Sequence, residues 1–289
     1  MNETDSYFKT NFHTHSVYCD GKNTLEENVL SAIEKNIEIL GFSSHSLFPS
    51  YCKGCGIKLD EFNNYCNEIL SLKEKYSSKI DIRLGFEADF LPPFSFPSFN
   101  AYKDFNPEFL IGSVHFLYNG EDSLEKVMAV DDTPQMLLDG LKNIYRGNEK
   151  RLVGHYFSLE REMLSSCDFT IIAHADLIRK FNLVSPFFDE NSSWYKNELK
   201  ETASSIKKAG VIAEINTGAI SRGWQKLPYP SEYFLTLLYE KNVPVMINSD
   251  SHDAKNIDFA FDEAIQLAKK VGYKELVYPE KNNFIPVKI

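Results

Sequence analysis

Short runs of apolar residues alternate along this chain with stretches of helical periodicity. The apolar runs cover residues 10–16, 37–43, 80–86, 109–114, 169–173, 211–215 and 243–247, and runs of this length are typical of buried strands. The periodic stretches predict helices over 25–36, 59–79, 133–145, 148–165, 194–209, 231–241 and 259–271. Thr24, with Glu27 three residues later, predicts a capping box at the start of the first helix. Strands that alternate with helices predict a parallel sheet, and closure of that sheet into an α/β barrel removes its exposed edges.

The length of the chain suits either one barrel or two small domains. Its 289 residues are 43% hydrophobic and 25% charged, which is enough to bury a large core. No Gly/Ser tract, proline-rich run or long block of like charge divides the sequence. We therefore expect a single domain over residues 1–289.

Polar residues are concentrated where the predicted strands end. The residues at or just past these C-terminal ends are His13, His15, His45, Glu87, His115, His174, Asp250 and His252. Six of the seven histidines in the chain are among them, and only His155 falls within a predicted helix. A lone histidine at a strand end is usually an ordinary hydrogen-bonded residue, but six at one topological position indicate that they belong to one site. Because barrel strands end at one rim, we predict a shared metal site there.

The residue types in this set indicate the chemistry. Imidazole and carboxylate together suit Zn²⁺, Mn²⁺ or Fe, and the absence of cysteine argues against a closed structural zinc site. Around eight ligands exceed the needs of one ion, so two or three divalent metal ions are expected. A carboxylate such as Glu87 has two oxygens and can bridge neighbouring ions. Paired ions can clamp a hydroxide and a phosphoryl oxygen, which favours hydrolysis of a phosphate ester.

Charge and cysteine content narrow the classes of partner. The formal net charge is −10, from 31 basic and 41 acidic residues, so extended nucleic acid is a weaker expectation than a small phosphate ester. The first residues lack the pattern of a signal peptide, and no apolar run approaches a membrane span, so a soluble cytoplasmic protein is expected. The five cysteines are an odd number, which argues against a disulfide framework. Cys52 and Cys55 form half of a zinc knuckle without a second half, and we interpret them as part of an ordinary loop.

At this level of detail the chain resembles a known family. The segments that carry the resemblance are NFHTHS (11–16) with Asp20, GFSSH (41–45), GFE (85–87), GSVHF (112–116), AHAD (173–176) and NSDSH (248–252). Their order is similar to that in the polymerase and histidinol phosphatase (PHP) superfamily, in particular its histidinol-phosphate phosphatase branch. The resemblance implies a distorted (β/α)₇ barrel, in agreement with the seven apolar runs.

The resemblance also implies a trinuclear metal centre. Its implied ligand sets are His13, His15, Glu87 and Asp250 for one ion, Glu87, His115 and His174 for a second, and Asp20, His45 and His252 for a third. Asp20 departs from the histidine that some members carry there, and a carboxylate favours slightly harder ions. The implied reaction is hydrolysis of L-histidinol phosphate to L-histidinol and phosphate in histidine biosynthesis. A metal-bound hydroxide would attack phosphorus, with Glu87, Asp250 and His252 as the catalytic residues.

Three residues are candidates for contact with the substrate. Arg222 follows the sixth predicted strand and is placed either to grip phosphate oxygens or as a solvated loop residue. Arg161, on the helix before the fifth strand, is either a phosphate ligand, as in the family, or part of an ion pair on the helix surface. Asp176 is expected to orient a metal ligand or to meet the amino group of the substrate.

Other functions are compatible with parts of this pattern. A PHP-type phosphodiesterase or exonuclease acting on nucleotides would use the same metal site, but it would need a basic track that the sequence does not show. A non-catalytic, metal-stabilised module is disfavoured because the ligand set is complete. A metal-dependent amidohydrolase also uses His-x-His, but it would typically place a lysine at a central strand end.

Overall fold

The computed structural model describes residues 7–49, 56–118, 127–281 and 283–289. Cys52 and Cys55 lie outside the described residues, as do the first six residues of the chain. The interpretation of the two cysteines as part of an ordinary loop therefore stays a prediction.

A parallel sheet forms the centre of the fold. The strands, in chain order, are β1 (Thr10–Asn11), β2 (Ile39–Phe42), β3 (His45–Ser46), β4 (Asp81–Asp89), β5 (Phe109–Ser113), β6 (Phe116–Leu117), β7 (Met128–Ala129), β8 (Ile171–Ile172), β9 (Ile212–Asn216), β10 (Val245–Asn248), β11 (Glu275–Glu280) and β12 (Asn283–Lys288). The order in the sheet is β1-β2-β4-β5-β8-β9-β10, and β3 continues β2 alongside β4. All of these pairs are parallel, which confirms the predicted alternation of strands and helices.

The barrel is nearly closed where its first and last strands approach each other. Thr14 and Ser251 form a parallel bridge. The amide of His15 donates to the carbonyl of Ser251 at 2.9 Å, and the amide of Ser251 donates to the carbonyl of His13 at 3.2 Å. This junction joins the two ends of the sequence pattern that carry histidines.

The first strand is much shorter than the predicted run of 10–16. The two amides directly after Asn11 donate to side chains rather than to a neighbouring strand: Asn248 Oδ1 accepts from Phe12 at 2.7 Å, and Asn11 Oδ1 accepts from His13 at 3.3 Å. The regular ladder therefore ends before the histidines begin.

Helices surround the sheet. They are α1 (Leu25–Glu34), α2 (Phe62–Lys75), α3 (Pro134–Asn143), α4 (Glu149–Ser166), α5 (Ser193–Ala209), α6 (Gly218–Ser221), α7 (Glu232–Glu240) and α8 (Phe261–Val271). The predicted capping box is present, since Thr24 Oγ1 accepts from the amide of Glu27 and Glu27 Oε2 accepts from the amide of Thr24 at 2.8 Å. No helix within the described ranges is both long enough and apolar enough to cross a bilayer.

A hairpin that the apolar pattern does not predict covers the N-terminal end of the barrel. β11 and β12 are antiparallel and each contains a proline, which interrupts the expected strand pattern. Val277 and Tyr278 pack against the inner core of the barrel, and Arg83 of β4 pairs with Glu280 at 2.6 Å. The inner core comprises Phe12, Ile39, Phe109, Ile111, Ile171, Ala173, Ile212 and Met246. The barrel is therefore packed with side chains below its functional rim.

One carboxyl group is buried among the helices. Glu160 on α4 is 1% exposed, and Tyr156 donates its hydroxyl to Glu160 Oε1 at 2.8 Å. Burial raises the pKa of Glu160 to about 8, although the Tyr156 hydrogen bond and His115 oppose the rise. The group is therefore largely protonated at neutral pH.

This raised pKa predicts a specific pH dependence of stability. The stabilising contribution of protonated Glu160 is fully present below its unfolded pKa of 4.5 and is lost as pH rises through the folded pKa of about 8. We expect the free energy of unfolding of Glu160→Gln to lack this decrease. The decrease in the wild type should amount to a few kcal/mol, because one pKa unit corresponds to about 1.4 kcal/mol. The measurement is denaturant unfolding of the metal-free protein across that pH range. Glu162→Gln, on the exposed side of the same helix, is the control. A Glu160→Gln profile parallel to wild type would show that the buried carboxyl is already charged.

Candidate metal centre

The C-terminal rim of the barrel brings together the polar residues predicted from the strand ends. The nine side chains that converge there, all within the described ranges, are His13, His15, Asp20, His45, Glu87, His115, His174, Asp250 and His252. Most of them are buried, and Asp20 is the one member of the cluster whose side chain is half exposed. The side chains alternate along β4, so Glu87 and Asp89 both point to this rim.

Glu87 lies at the centre of the cluster. Its Oε2 atom lies 3.1 Å from His13 Nε2, 3.5 Å from His15 Nε2 and 2.7 Å from His45 Nδ1. Its Oε1 atom lies 3.4 Å from His115 Nε2 and 3.1 Å from His174 Nε2. One carboxylate therefore divides its two oxygens between two groups of imidazoles.

Asp250 completes the group around His13 and His15. Its Oδ1 lies 3.2 Å from His15 Nε2 and 3.8 Å from His13 Nε2. Its backbone φ of +48° lies in the left-handed region, which is uncommon for a residue other than glycine. This conformation occurs directly before Ser251, whose amide and carbonyl close the barrel.

Asp20 approaches the cluster from the loop before α1. Its Oδ2 lies 3.1 Å from His252 Nε2, and its Oδ1 lies 3.8 Å from His45 Nε2. The rings of His15 and His252 stack with centroids 3.9 Å apart. His45 faces Glu87 through one ring nitrogen and Asp20 through the other, so it belongs to two neighbouring groups.

The donor atoms in this cluster fit bound divalent cations. Within the described ranges, His13 Nε2, His15 Nε2 and Glu87 Oε2 are buried and make no hydrogen bond of good geometry, although His13, His15 and His45 nitrogens lie 3.1, 3.5 and 2.7 Å from Glu87 Oε2. Such atoms are costly to bury unless something else satisfies them. The possible ligand groups, each with donor atoms within 4.8 Å of one another, are His15, Asp20, His45 and His252; His13, His15 and Glu87; His13, His174 and Asp250; and His45, Glu87 and His115. Their overlap is the arrangement expected for closely spaced ions that share ligands.

The carboxylates of the cluster are charged. Burial alone would raise the pKa of Glu87, but His13, His45 and His115 hold it well below the usual value. Burial also opposes ionisation of Asp250, whose pKa Arg222 and His13 nevertheless keep low. The result is buried negative charge, which attracts cations more strongly than the same charge in bulk water.

Two further carboxylates orient the histidines from behind. Glu214 Oε1 accepts from His13 Nδ1 at 2.7 Å, and Asp89 Oδ1 accepts from His115 Nδ1 at 2.8 Å. With the proton held on Nδ1, the Nε2 lone pair of each ring is directed into the cluster, as in carboxylate–histidine–metal arrangements. Neither residue is predicted from the sequence to have a role. For Asp89 the available signal is its position two residues after Glu87 on the same strand.

Arg222 also contacts the cluster. It donates from Nη2 to Asp250 Oδ2 at 2.8 Å and from Nη1 to the Asp250 carbonyl at 3.0 Å. The same carbonyl lies 3.1 Å from His252 Nδ1, so His252 can donate there and keep Nε2 free. Arg222 is thus placed at the rim and holds both Asp250 and the backbone beside His252.

The other two substrate candidates lie elsewhere. Arg161 donates to Glu198 at 2.8 Å and to Thr202 at 3.2 Å, both on α5, which matches the ion-pair alternative. Asp176 is fully buried and accepts from the amide of Ser231 at 2.8 Å. Neither is among the described residues that line the cavity.

A cavity of about 420 Å³ opens above the cluster. The residues of its wall that do not belong to the cluster include Phe116, Ala129, Asp131, Asp132, Leu177, Lys180, Arg222 and Trp224. Lys180, which is not among the candidates predicted from the sequence, donates to Asp131 Oδ2 at 3.0 Å. The cavity is large enough for a small organic molecule.

The amino-acid sequence matches a domain-family model and is similar to proteins named histidinol-phosphatase. The family model of the PHP domain matches residues 11–218. A probable histidinol-phosphatase of Schizosaccharomyces pombe is 26% identical over 287 residues, covering 93% of this chain and 89% of the relative. A probable histidinol-phosphatase of Deinococcus radiodurans is also 26% identical and covers 92% of this chain and 95% of the relative. The histidinol-phosphatase of Bacillus subtilis is 24% identical, with 89% and 98% covered.

Solved structures have the same fold. A putative histidinol phosphatase, HisK, from Listeria monocytogenes superposes with a TM-score of 0.76 at 20% identity, covering 88% of this chain and 99% of that one. Histidinol phosphate phosphatase from Lactococcus lactis, solved with zinc, L-histidinol and phosphate, superposes with a TM-score of 0.73 at 21% identity, covering 96% and 99%. The barrel, the ordered rim residues and the family model, which spans more than two thirds of the sequence, agree: the chain belongs to the PHP domain family.

Proposed function

We propose that this chain is a metal-dependent phosphomonoesterase that hydrolyses L-histidinol phosphate to L-histidinol and phosphate in histidine biosynthesis. The observation that carries the proposal is the Glu87 cluster, in which, among the described residues, two buried imidazole nitrogens and Glu87 Oε2 face one another without well-formed hydrogen bonds at the base of a small cavity. The relatives named histidinol-phosphatase, which match nearly the whole chain, support the choice of substrate.

The chain offers ligands for up to three divalent ions, of zinc, manganese or iron. The proposed sets are His13, His15, Glu87 and Asp250; Glu87, His115 and His174; and Asp20, His45 and His252. Ions at such a centre supply a lowered water pKa and neutralise charge on the phosphoryl group. Glu87 and Asp250 would help to hold the ions because they stay ionised and fixed in place. His252 would bind an ion from the partly exposed side of the cluster, which faces the cavity.

Two cationic side chains are placed to bind the phosphate. Arg222 and Lys180 both line the cavity, and each is already held by a carboxylate, Asp250 or Asp131. Their positions are fixed before the substrate arrives, so little side-chain entropy is lost on binding. Arg222 presents a planar set of donors suited to phosphate oxygens.

The cavity favours a small substrate over a polynucleotide. Among the described lining residues the two cations are accompanied by Asp131 and Asp132, and no row of lysines or arginines leads away from the cluster. A polynucleotide needs such a row for its successive phosphates.

The substrate proposal is tested by turnover with reconstituted metal. We expect kcat/KM for L-histidinol phosphate to exceed that for an aryl phosphate by at least about tenfold, since additional contacts to the organic part are available. A short oligonucleotide should be cleaved slowly or not at all. Equal kcat/KM for the two esters would contradict L-histidinol phosphate as the specific substrate. Preferred cleavage of the oligonucleotide would support a nuclease instead.

Glu87 should be essential for both metal content and turnover. Glu87→Gln keeps the size of the side chain but removes the charge and one of the two acceptor oxygens, each of which faces a different group of imidazoles. We expect loss of bound metal and a fall in kcat/KM of about 100-fold or more, beyond the effect typical of an outer hydrogen-bond partner. Metal per chain by mass spectrometry and steady-state kinetics check this. Wild-type metal content and turnover would contradict the central role of Glu87.

The orienting carboxylates should act through metal affinity. We expect Glu214→Gln and Asp89→Asn each to weaken metal binding by about 10–100-fold, because a neutral amide holds the ring proton on Nδ1 more weakly than a carboxylate does. Competition with a chelator gives the affinity, and thermal unfolding of the metal-free variants controls for misfolding. The matched control is Glu160→Gln, since Glu160 is a buried glutamate that hydrogen-bonds Tyr156 and not a histidine. Metal affinities equal to that control would show that Glu214 and Asp89 are only structural.

A further inference from the structure

An ion pair that the metal centre does not use lines the cavity. Lys180 and Asp131 approach to 3.0 Å, and Lys180 Nζ also donates to the Asp131 carbonyl at 2.7 Å. The Lys180 side chain is 10% exposed and that of Asp131 is 23% exposed. A largely buried pair of this kind costs desolvation energy and is weak evidence of a purely stabilising role.

The surrounding backbone fixes both partners. The amide of Val130 donates to the carbonyl of His115 at 2.9 Å, which places Asp131 directly beside the rim. On the opposite side, Gln225 Nε2 donates to the carbonyls of Arg179 and Lys180 at 2.7 and 2.9 Å. The pair is therefore presented to the cavity by two rigid segments.

Three of the other four described carboxylates that line the cavity are committed to histidines, and the fourth, Asp132, is exposed. Asp20 and Asp250 face the cluster, and Asp89 holds His115. Asp131 differs, because within the described residues only its Oδ2 takes part in a side-chain hydrogen bond. Burial would raise the pKa of Asp131, yet Lys180 and His115 lower it to about 2, so the group is charged at any working pH.

The proposed substrate carries complementary charges. Its ammonium group is attached to the carbon next to the phosphorylated carbon, so a cation and an anion lie side by side. An adjacent lysine and aspartate match this arrangement when the phosphate meets Lys180 and the ammonium meets Asp131. A phosphate ester without an amine would gain the first contact but leave the carboxylate without a new partner.

We propose that the Asp131–Lys180 pair makes the site selective for phosphate monoesters that carry a protonated amine close to the phosphate, with Asp131 binding the ammonium. The inference rests on the proposed phosphomonoesterase function and deepens it. It moves the expected ammonium contact from Asp176, which is buried against Ser231, to Asp131 on the cavity wall.

The test compares substrates that differ only in the amine. One pair is L-histidinol phosphate and its desamino analogue, imidazolylpropyl phosphate, and the other is phosphoethanolamine and ethyl phosphate. In the wild type we expect kcat/KM to favour the amine in each pair. Asp131→Asn should reduce this preference by about 10- to 100-fold, the range expected for a hydrogen bond between charged groups.

Asp132→Asn provides a matched control. Asp132 is the next residue, lines the same cavity and is exposed, so the substitution removes the same charge from the same wall. Its preference for the amine should stay near that of the wild type. An equal loss in both variants would indicate general attraction by negative charge and would overturn the assignment to Asp131.

A binding measurement separates recognition from turnover. Calorimetry with L-histidinol and metal-loaded protein should show a Kd raised by about 10-fold or more in Asp131→Asn and little changed in Asp132→Asn. Thermal unfolding and metal content report whether the variants are intact. An unchanged Kd in an intact Asp131→Asn protein would overturn the proposal.

The two levels of inference can fail separately. If L-histidinol phosphate is a poor substrate but phosphoethanolamine is preferred over ethyl phosphate in a manner that needs Asp131, the amine selectivity stands and the named substrate fails. If L-histidinol phosphate is hydrolysed efficiently and Asp131→Asn keeps the full preference for the amine, the proposed function stands and the role of Asp131 fails.

Discussion

The structure depends on the burial of one charged carboxylate, Glu87, among five described histidines. Removal of that charge from water is expensive, and it is tolerated only when partners surround it with good geometry. The strands of the barrel supply those partners from several directions, because each ends at the same rim. The positions of the strand ends and the ionisation of Glu87 therefore determine each other.

The orienting contacts extend this constraint outward. Glu214, on β9, holds His13 beyond β1 and also accepts from the amide of His174 beyond β8 and from Asn216 on its own strand, so one side chain links three strand ends. The side chains of Asn11 and Asn248 accept hydrogen bonds from backbone amides where the regular pairing of the strands stops. A rim that is rigid in this way presents its donor atoms in place before any ligand arrives.

Much of the site is predictable from sequence because the relevant rule is topological. Histidines at the ends of parallel strands must share a rim, and this places His13, His115 and His174 together without knowledge of any distance. Asp20 is different, since it lies on a loop and is identified only through the family resemblance. Lys180 follows a 3-10 helix (Leu177–Arg179) that is too short to show an apolar period, so its presence in the cavity depends on tertiary packing. Arg161 shows the converse, because a basic residue on an appropriate helix points to α5 and pairs with Glu198. The hairpin of β11 and β12 is also missed, since its prolines interrupt the pattern and its stability comes from contact with the barrel.

The bridge between Thr14 and Ser251 has a consequence for biosynthesis. A ribosome releases His13 and His15 early, while Asp250 and His252 emerge only after the other strands of the sheet have been made. The early histidines thus remain without their closing partners for most of translation, and no local segment can assemble the full ligand set. Assembly of the full ligand set therefore needs the long-range closure of the barrel and cannot follow from the synthesis of any one motif.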